Sequence, residues 1–360
     1  MTAYLDYNAT APLEPAAVEA MAAAARDWAN PSSVHGAGRR ARGRLEAARE
    51  TIARHLSCQP QAIVFTSGGT EALGLALRGV AAASTIVSAV EHDAVRLQAA
   101  ASVVAPVDTD GRIDLDALAG LLAAAPRPAL VAVMHVNNET GVIQPIAAVI
   151  DLVRAHGARL LCDAVQSAGK LPLPAADLVA VSAHKLGGPP GVGALIVRCA
   201  DDLEAVQRGG GQERGLRAGT ENLPAIAGFA AALEARADRG WLARAAALRD
   251  RLEARLGGAA ELIGAGAPRL GTTTCLRMPG VPASTQLIAL DLAGFAVSSG
   301  AACSSGKVRT SHVLTAMGLS AAATGEAIRV SLGWHSTEAE VDGLADAWDA
   351  LARRQAAKAA

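Results

Sequence analysis

The sequence predicts an α/β protein built around a mostly parallel sheet, and two observations carry that prediction. Between residues 62 and 197, short β-branched or apolar runs alternate with helical stretches rich in alanine, leucine and arginine, the pattern of βα units. The first run ends in a glycine-rich turn, Ser67-Gly68-Gly69-Thr70-Glu71, that leads directly into a helical stretch. The 360 residues are 51% hydrophobic, enough for a large core, and the length favours two domains.

Strands are expected at 62–66, 84–88, 103–107, 130–135, 159–162, 178–182 and 193–197. After the first of these, the helical stretch 71–79 begins with free backbone N–H groups and the positive end of a helix dipole, which favours a phosphate. Residues 208–222 are loop-like and rich in glycine, and one helical stretch is expected from there to about 257. A second composition block starts near Leu262, with strand-like pieces at 271–277 and 295–298 and a final helix over 338–354. The domain boundary is placed inside the long helix, near Trp241.

The net charge of −1 gives no electrostatic reason to expect nucleic acid or an anionic membrane as partner. No apolar run reaches the ~18–20 residues of a membrane-spanning helix, and the N-terminus lacks the basic and apolar regions of a secretory signal. The cytoplasm is the expected address. Cys58, Cys162, Cys199, Cys275 and Cys303 form no CxxC pair and are too scattered for a disulfide framework, and no metal is expected. Three of them, Cys162, Cys199 and Cys275, lie in or beside expected strands and read as small buried hydrophobes.

Lysine occurs only at 170, 185, 307 and 358, so amine chemistry has few candidates. Lys185 emerges from an apolar strand end in Ser182-Ala183-His184-Lys185, ahead of a glycine-rich turn. Desolvation there would lower its pKa and free its amine for Schiff-base chemistry, whereas a lysine taken alone reads as a surface residue. Asp163, at the end of the preceding strand, could hold a pyridinium nitrogen protonated or simply cap a helix. His92 could stack on a flat ring or serve structure. Arg329 alternates with apolar residues as if aimed from a strand, suited to a carboxylate ligand or to a salt bridge with an acidic neighbour. Cys303 lies among serines, glycines and alanines with Lys307 nearby, a context for an accessible thiolate.

These residues stand in a series of motifs that resembles the cysteine desulfurases of the NifS and IscS kind, in the class V group of fold-type I pyridoxal-phosphate enzymes. The blocks run nearly end to end: residues 4–12, 30–35, 66–71, 91–92, 134–141, 163–167, 182–185, 209–222, 298–306 and 328–333. The resemblance implies a large domain, 13–241, with a mostly parallel seven-stranded sheet sandwiched by helices. It implies a smaller α+β domain of 1–12 and 242–360 carrying the reactive cysteine.

It also implies pyridoxal 5'-phosphate bound through Lys185, with Asp163 on the ring nitrogen, Gln166 on the ring hydroxyl and His92 stacked on the ring. The phosphate would meet Gly69, Thr70, Ser182 and His184, with Thr220 reaching across from a second subunit of a homodimer. Asn138 and Arg329 would bind the substrate, L-cysteine. Cys303 would take its sulfur as a persulfide and pass it to an acceptor protein such as an iron–sulfur scaffold. The same motifs leave open a selenocysteine lyase or another class V aminotransferase. A non-enzymatic persulfide relay would have no use for Lys185 and Asp163 together with a phosphate cradle. A nicotinamide dehydrogenase would need the GxGxxG spacing that Ser67-Gly68-Gly69-Thr70 lacks.

Overall fold

A computed structural model describes residues 2–99, 101–199, 203–300 and 310–359; Cys303 and Lys307 lie outside them. Strand β1 (Ala3–Tyr4) opens the chain. Then come β2 (Ile63–Thr66), β3 (Ser84–Ser88), β4 (Val103–Ala105), β5 (Ala129–Ala132), β6 (Arg159–Asp163), β7 (Leu178–Ser182) and β8 (Gly193–Val197). These seven form one sheet in the order β2-β8-β7-β6-β5-β3-β4.

Strands β3 to β7 run parallel, while β8 is antiparallel to both β2 and β7. In this register Thr66 and Ser182 both stand opposite Gly193, and Asp163 pairs with Ala180. The C-terminal ends of β2, β7 and β6 therefore share one rim, where open α/β sheets bind ligands. Only glycine fits at 193: a Cβ there would lie 2.6 Å from the Val181 carbonyl oxygen and 2.8 Å from the Gly68 backbone.

Alternate residues of these strands face opposite layers, as the two-residue strand period dictates. Ile63, Phe65, Leu160, Cys162, Val179 and Val181 pack with the helices Gly36–Leu56 and Leu223–Ala235. Val64, Leu161, Leu178, Ala180 and Leu195 pack with the helix Gly69–Gly79 on the other face. Coverage on both faces explains why the strands read as continuous apolar runs. The helix Gly36–Leu56 buries Ala41, Leu45, Ala48, Ile52 and Leu56, a stripe at helical spacing.

The C-terminal third adds β9 (Glu261–Leu262), β10 (Thr273–Arg277), β11 (Phe295–Ala296) and β12 (Ala327–Ser331). Strands β12, β10 and β9 form an antiparallel sheet, and β11 pairs in parallel with β1. Ile328, Val330 and Leu276 pack here with Leu252 and Trp348 from the helices Gly240–Leu256 and Glu338–Ala359.

Several expectations are corrected. The single helical stretch to 257 is two helices, Leu223–Ala235 and Gly240–Leu256. Between them the Asp238 carboxylate accepts from the Gly240 N–H at 2.8 Å, just ahead of the second helix, whose N-cap, Arg239, makes no side-chain cap bond. The strand expected over 103–107 stops at Ala105, because Pro106 has no N–H to continue the ladder. The strand at 295–298 ends at Ala296, with Ser298 making an isolated bridge to Arg329. Cys162 and Cys275 are buried, but Cys199 is exposed because β8 ends two residues earlier, at Val197. Among the described residues no helix is long and apolar enough to cross a membrane.

Candidate active site

The shared rim opens into a cavity of about 260 Å³. Strand β7 ends at Ser182, and a single 3-10 turn, Ala183–Lys185, delivers Lys185 to its wall. The Lys185 ammonium donates to the carbonyls of Asn8 at 2.6 Å and Ala9 at 2.7 Å. Burial pushes this amine down to about 8; Arg329 pushes the same way, against Asp6 and Asp163.

Asp163 closes β6 and is buried, with Oδ1 accepting from the Val165 N–H at 2.9 Å. Burial raises its pKa, while that hydrogen bond, His92 and Lys185 oppose the rise. Gln166 donates from Nε2 to the Asn8 carbonyl at 3.0 Å, and its Oε1 is buried without a partner. His92 borders the cavity; its Nδ1 accepts from the Ala94 N–H at 3.0 Å, which places the ring proton of the neutral form on Nε2.

Gly69 and Thr70 begin the helix Gly69–Gly79, whose N-cap, Gly68, offers no side chain, so the first-turn N–H groups face the cavity rim unclaimed by a cap. A Cβ on Gly69 would meet Val165 Cγ2 at 2.7 Å, so this approach of helix to strand end requires glycine. Ser182 is buried on the same wall. His184 contacts Thr10 Oγ1 at 3.2 Å, and burial, with Lys185 beside it, pushes it down to about 4, leaving it neutral.

Arg329 projects from β12, 3% exposed. It donates to Asp6 at 2.6 Å and to the Asn138 carbonyl at 3.1 Å, while its Nε is buried with no partner. The salt-bridge reading of this arginine is realised with Asp6, and the same guanidinium also borders the cavity. Asn138 lines the cavity, as does Gly300, three residues before Cys303 in the sequence. Thr220 is placed elsewhere: it is exposed on the glycine-rich loop and does not border the cavity.

That loop is nevertheless tied to the rim. Arg217 pairs with Glu71 of the Gly69–Gly79 helix at 2.7 Å. Glu213 is buried and accepts from Arg49 at 2.7 and 2.9 Å and from the Phe65 N–H of β2 at 2.8 Å. Strand β2 is the sheet's edge, so these side chains satisfy an edge that would otherwise be open.

Sequence reasoning assigned no role to four contributors. Asn8 and Ala9 act through backbone carbonyls, which leave no residue-type signal. Asp6 is named by its distance to Arg329 alone. Glu91 is fully buried, accepts from the Met134 N–H at 2.6 Å, and leaves Oε2 unpartnered; burial, with Asp163 nearby, raises its pKa.

The sequence model of the family described as Aminotransferase class-V matches residues 3–344. The chain belongs to this family. It is 41% identical to a cysteine desulfurase of Cereibacter sphaeroides, over 95% of this chain and 93% of that protein. It is 39% identical to an IscS-like cysteine desulfurase of Mycobacterium tuberculosis, covering 99% of each. The solved NifS-like protein of Rickettsia africae superposes with a TM-score of 0.89 at 32% identity, over 98% of this chain and 99% of that one.

This class V enzyme is pyridoxal-phosphate-dependent. Its residues fit that cofactor: a cavity of ring-and-phosphate size, a primary amine at one wall, a buried carboxyl, an unpartnered Gln166 Oε1 and an uncapped helix start.

Proposed function

We propose that the enzyme takes sulfur from L-cysteine, releasing L-alanine and leaving a persulfide on Cys303 that is handed to an acceptor protein. The observation that carries this reading is the convergence of Lys185, Asp163 and Arg329 on the cavity that Gly300, just before Cys303, also lines. A solved protein titled SspA in complex with cysteine, 29% identical with a TM-score of 0.81, supports cysteine as the substrate.

When bound, the cofactor supplies an electron sink for the pair left at the substrate Cα. Lys185 would hold the cofactor and, once freed, take and return the Cα proton, a task its lowered pKa suits. Asp163 would face the ring nitrogen as a carboxylate, its burial repaid by that positive partner. Gln166 would bond the ring hydroxyl, His92 would cover the ring face, and Gly69, Thr70, Ser182 and His184 would hold the phosphate. Arg329, with Asn138 beside it, would fix the substrate carboxylate through its unpartnered Nε edge.

The Cys303 thiolate then attacks the substrate sulfur. An S–S bond forms on Cys303, the substrate C–S bond breaks, and its electron pair stays with the three-carbon fragment, which leaves as alanine after protonation. Atoms balance with no external oxidant or reductant.

The exposed position of Thr220 supports a homodimer in which it completes the partner's phosphate site. The separate hydrophobic cores on the two main sheets support the division at Trp241 into 13–241 and 1–12 with 242–360. The setting would be the reducing cytoplasm, and an iron–sulfur scaffold is one fitting acceptor.

The test is alanine release from L-cysteine by the purified holoenzyme under reducing conditions, beside Cys303→Ala and Lys185→Ala. Alanine from the wild type alone is the expected result. Turnover that survives Cys303→Ala would shift the reading to selenocysteine lyase or aminotransferase chemistry.

A further inference from the structure

Lys185 also borders a second, smaller cavity of about 40 Å³. Four other cationic or titratable bases stand around it, Lys170, His55, Arg236 and Arg239, together with the indoles of Trp241 and Trp334, and none of the side chains lining it carries a carboxylate. Arg236 is already paired with Glu14, and His55 with Glu234. Lys185 spends its donors on two carbonyls.

Arg239 is exposed to solvent, and Lys170 differs from all of these. It is 7% exposed and follows the Gly169 turn, where its backbone N–H donates to the Ser167 carbonyl at 3.0 Å, while its ammonium makes neither a hydrogen bond nor an ion pair with any described residue. Burial pushes its amine down to about 7, with Lys185 and Arg329 adding to the effect. The Nε1 atoms of Trp241 and Trp334 are likewise buried with no acceptor. Orphaned buried donors are rare in folded proteins, and two indole N–H groups beside an ammonium without a partner mark a missing acceptor.

We propose that this cavity binds a halide-sized monovalent anion, with the Lys170 ammonium as counter-charge and the indole N–H groups of Trp241 and Trp334 as donors. At ~10–15 Å³ per water position, the space holds about three waters, hence a single-atom anion with its residual hydration but not the amino-acid substrate. Water alone would find donors all round and few acceptors for its own protons, whereas an anion accepts from every one of them. Binding would proceed whether or not the enzyme acts on cysteine.

The experiment titrates sodium chloride and sodium bromide into holoenzyme prepared in sodium gluconate, at constant ionic strength, and follows thermal unfolding. The wild type should show a saturable rise in Tm with either halide. Lys170→Met should lose that rise, and Trp241→Phe, which keeps an aromatic side chain but removes the N–H, should weaken halide affinity at least tenfold. Crystals grown in bromide should place a bromine anomalous peak in the cavity. A wild-type Tm indifferent to halide, an equal rise in both variants, or bromide found only elsewhere would overturn the proposal.

Discussion

Replacing Glu213 by alanine should destabilise the enzyme by about 4 kcal/mol. Its carboxylate receives a two-pronged grip from Arg49 and a third hydrogen bond from the Phe65 N–H. Arg49 is 3% exposed and stacks 4.5 Å from the Phe65 ring. Deleting one partner of such a buried pair typically costs ~3–5 kcal/mol, since the other charge is left desolvated. Glu46, half-exposed and 3.0 Å from Arg49, compensates in part, while the stranded Phe65 N–H adds ~1–3 kcal/mol. The two corrections roughly cancel.

That loss is a large share of a typical ~5–15 kcal/mol stability, so the urea midpoint of the holoenzyme should fall sharply. The double variant Arg49→Met with Glu213→Met removes both charges and should cost at least ~2 kcal/mol less than the sum of the single variants. A Glu213→Ala cost under ~1 kcal/mol, or strict additivity in the cycle, would refute the assigned role of this clamp.

Two further outcomes follow from the cavity. Arg329→Lys removes a planar fork that spans Asp6 and the Asn138 carbonyl, so KM for L-cysteine should rise ~10–100-fold with a smaller change in kcat, because the carboxylate is held alike before and during reaction; an unchanged KM in steady-state alanine assays would contradict it. Lys185 reacts only as the free amine, and burial places its titration near 8. Capture of added pyridoxal phosphate by apoprotein, followed by absorbance, should quicken about tenfold per pH unit below 8 and level off above it. A midpoint near 10 would show that the amine is not desolvated.

The α/β class was legible because seven apolar runs alternate with helical ones, and the motif-bearing strand ends, Thr66, Asp163 and Ser182, lie together as C-terminal ends do in such sheets. What the residues could not express was pairing. Nothing in Gly193–Val197 distinguishes an antiparallel strand from a parallel one, since both of its faces are buried and its side chains meet the same apolar layers. The break at 236–239 hid behind strong helix formers on either side, and only Asp238 and Gly240 hinted at it. Cys199 was misplaced for a similar reason, as strand ends carry no sharp chemical mark. In the site, side chains with distinctive chemistry announced themselves, while the Asn8 and Ala9 carbonyls that hold Lys185 belong to every residue type alike.

Those carbonyls give the site a timetable. The lysine stands on the ten residues between β7 and β8, a local connection that can close soon after it is made. Its holders stand at the opposite end of the chain's history: residues 3–8 are secured by β11 and by Ser331, whose Oγ accepts from the Asn8 N–H at 2.9 Å. At ~5–20 residues per second of synthesis, residue 331 appears roughly 7–30 s after residue 185. The nascent chain therefore carries a finished lysine turn with an unfinished pocket, and the enzyme can take up its cofactor in the native geometry only once nearly the whole polypeptide has been made.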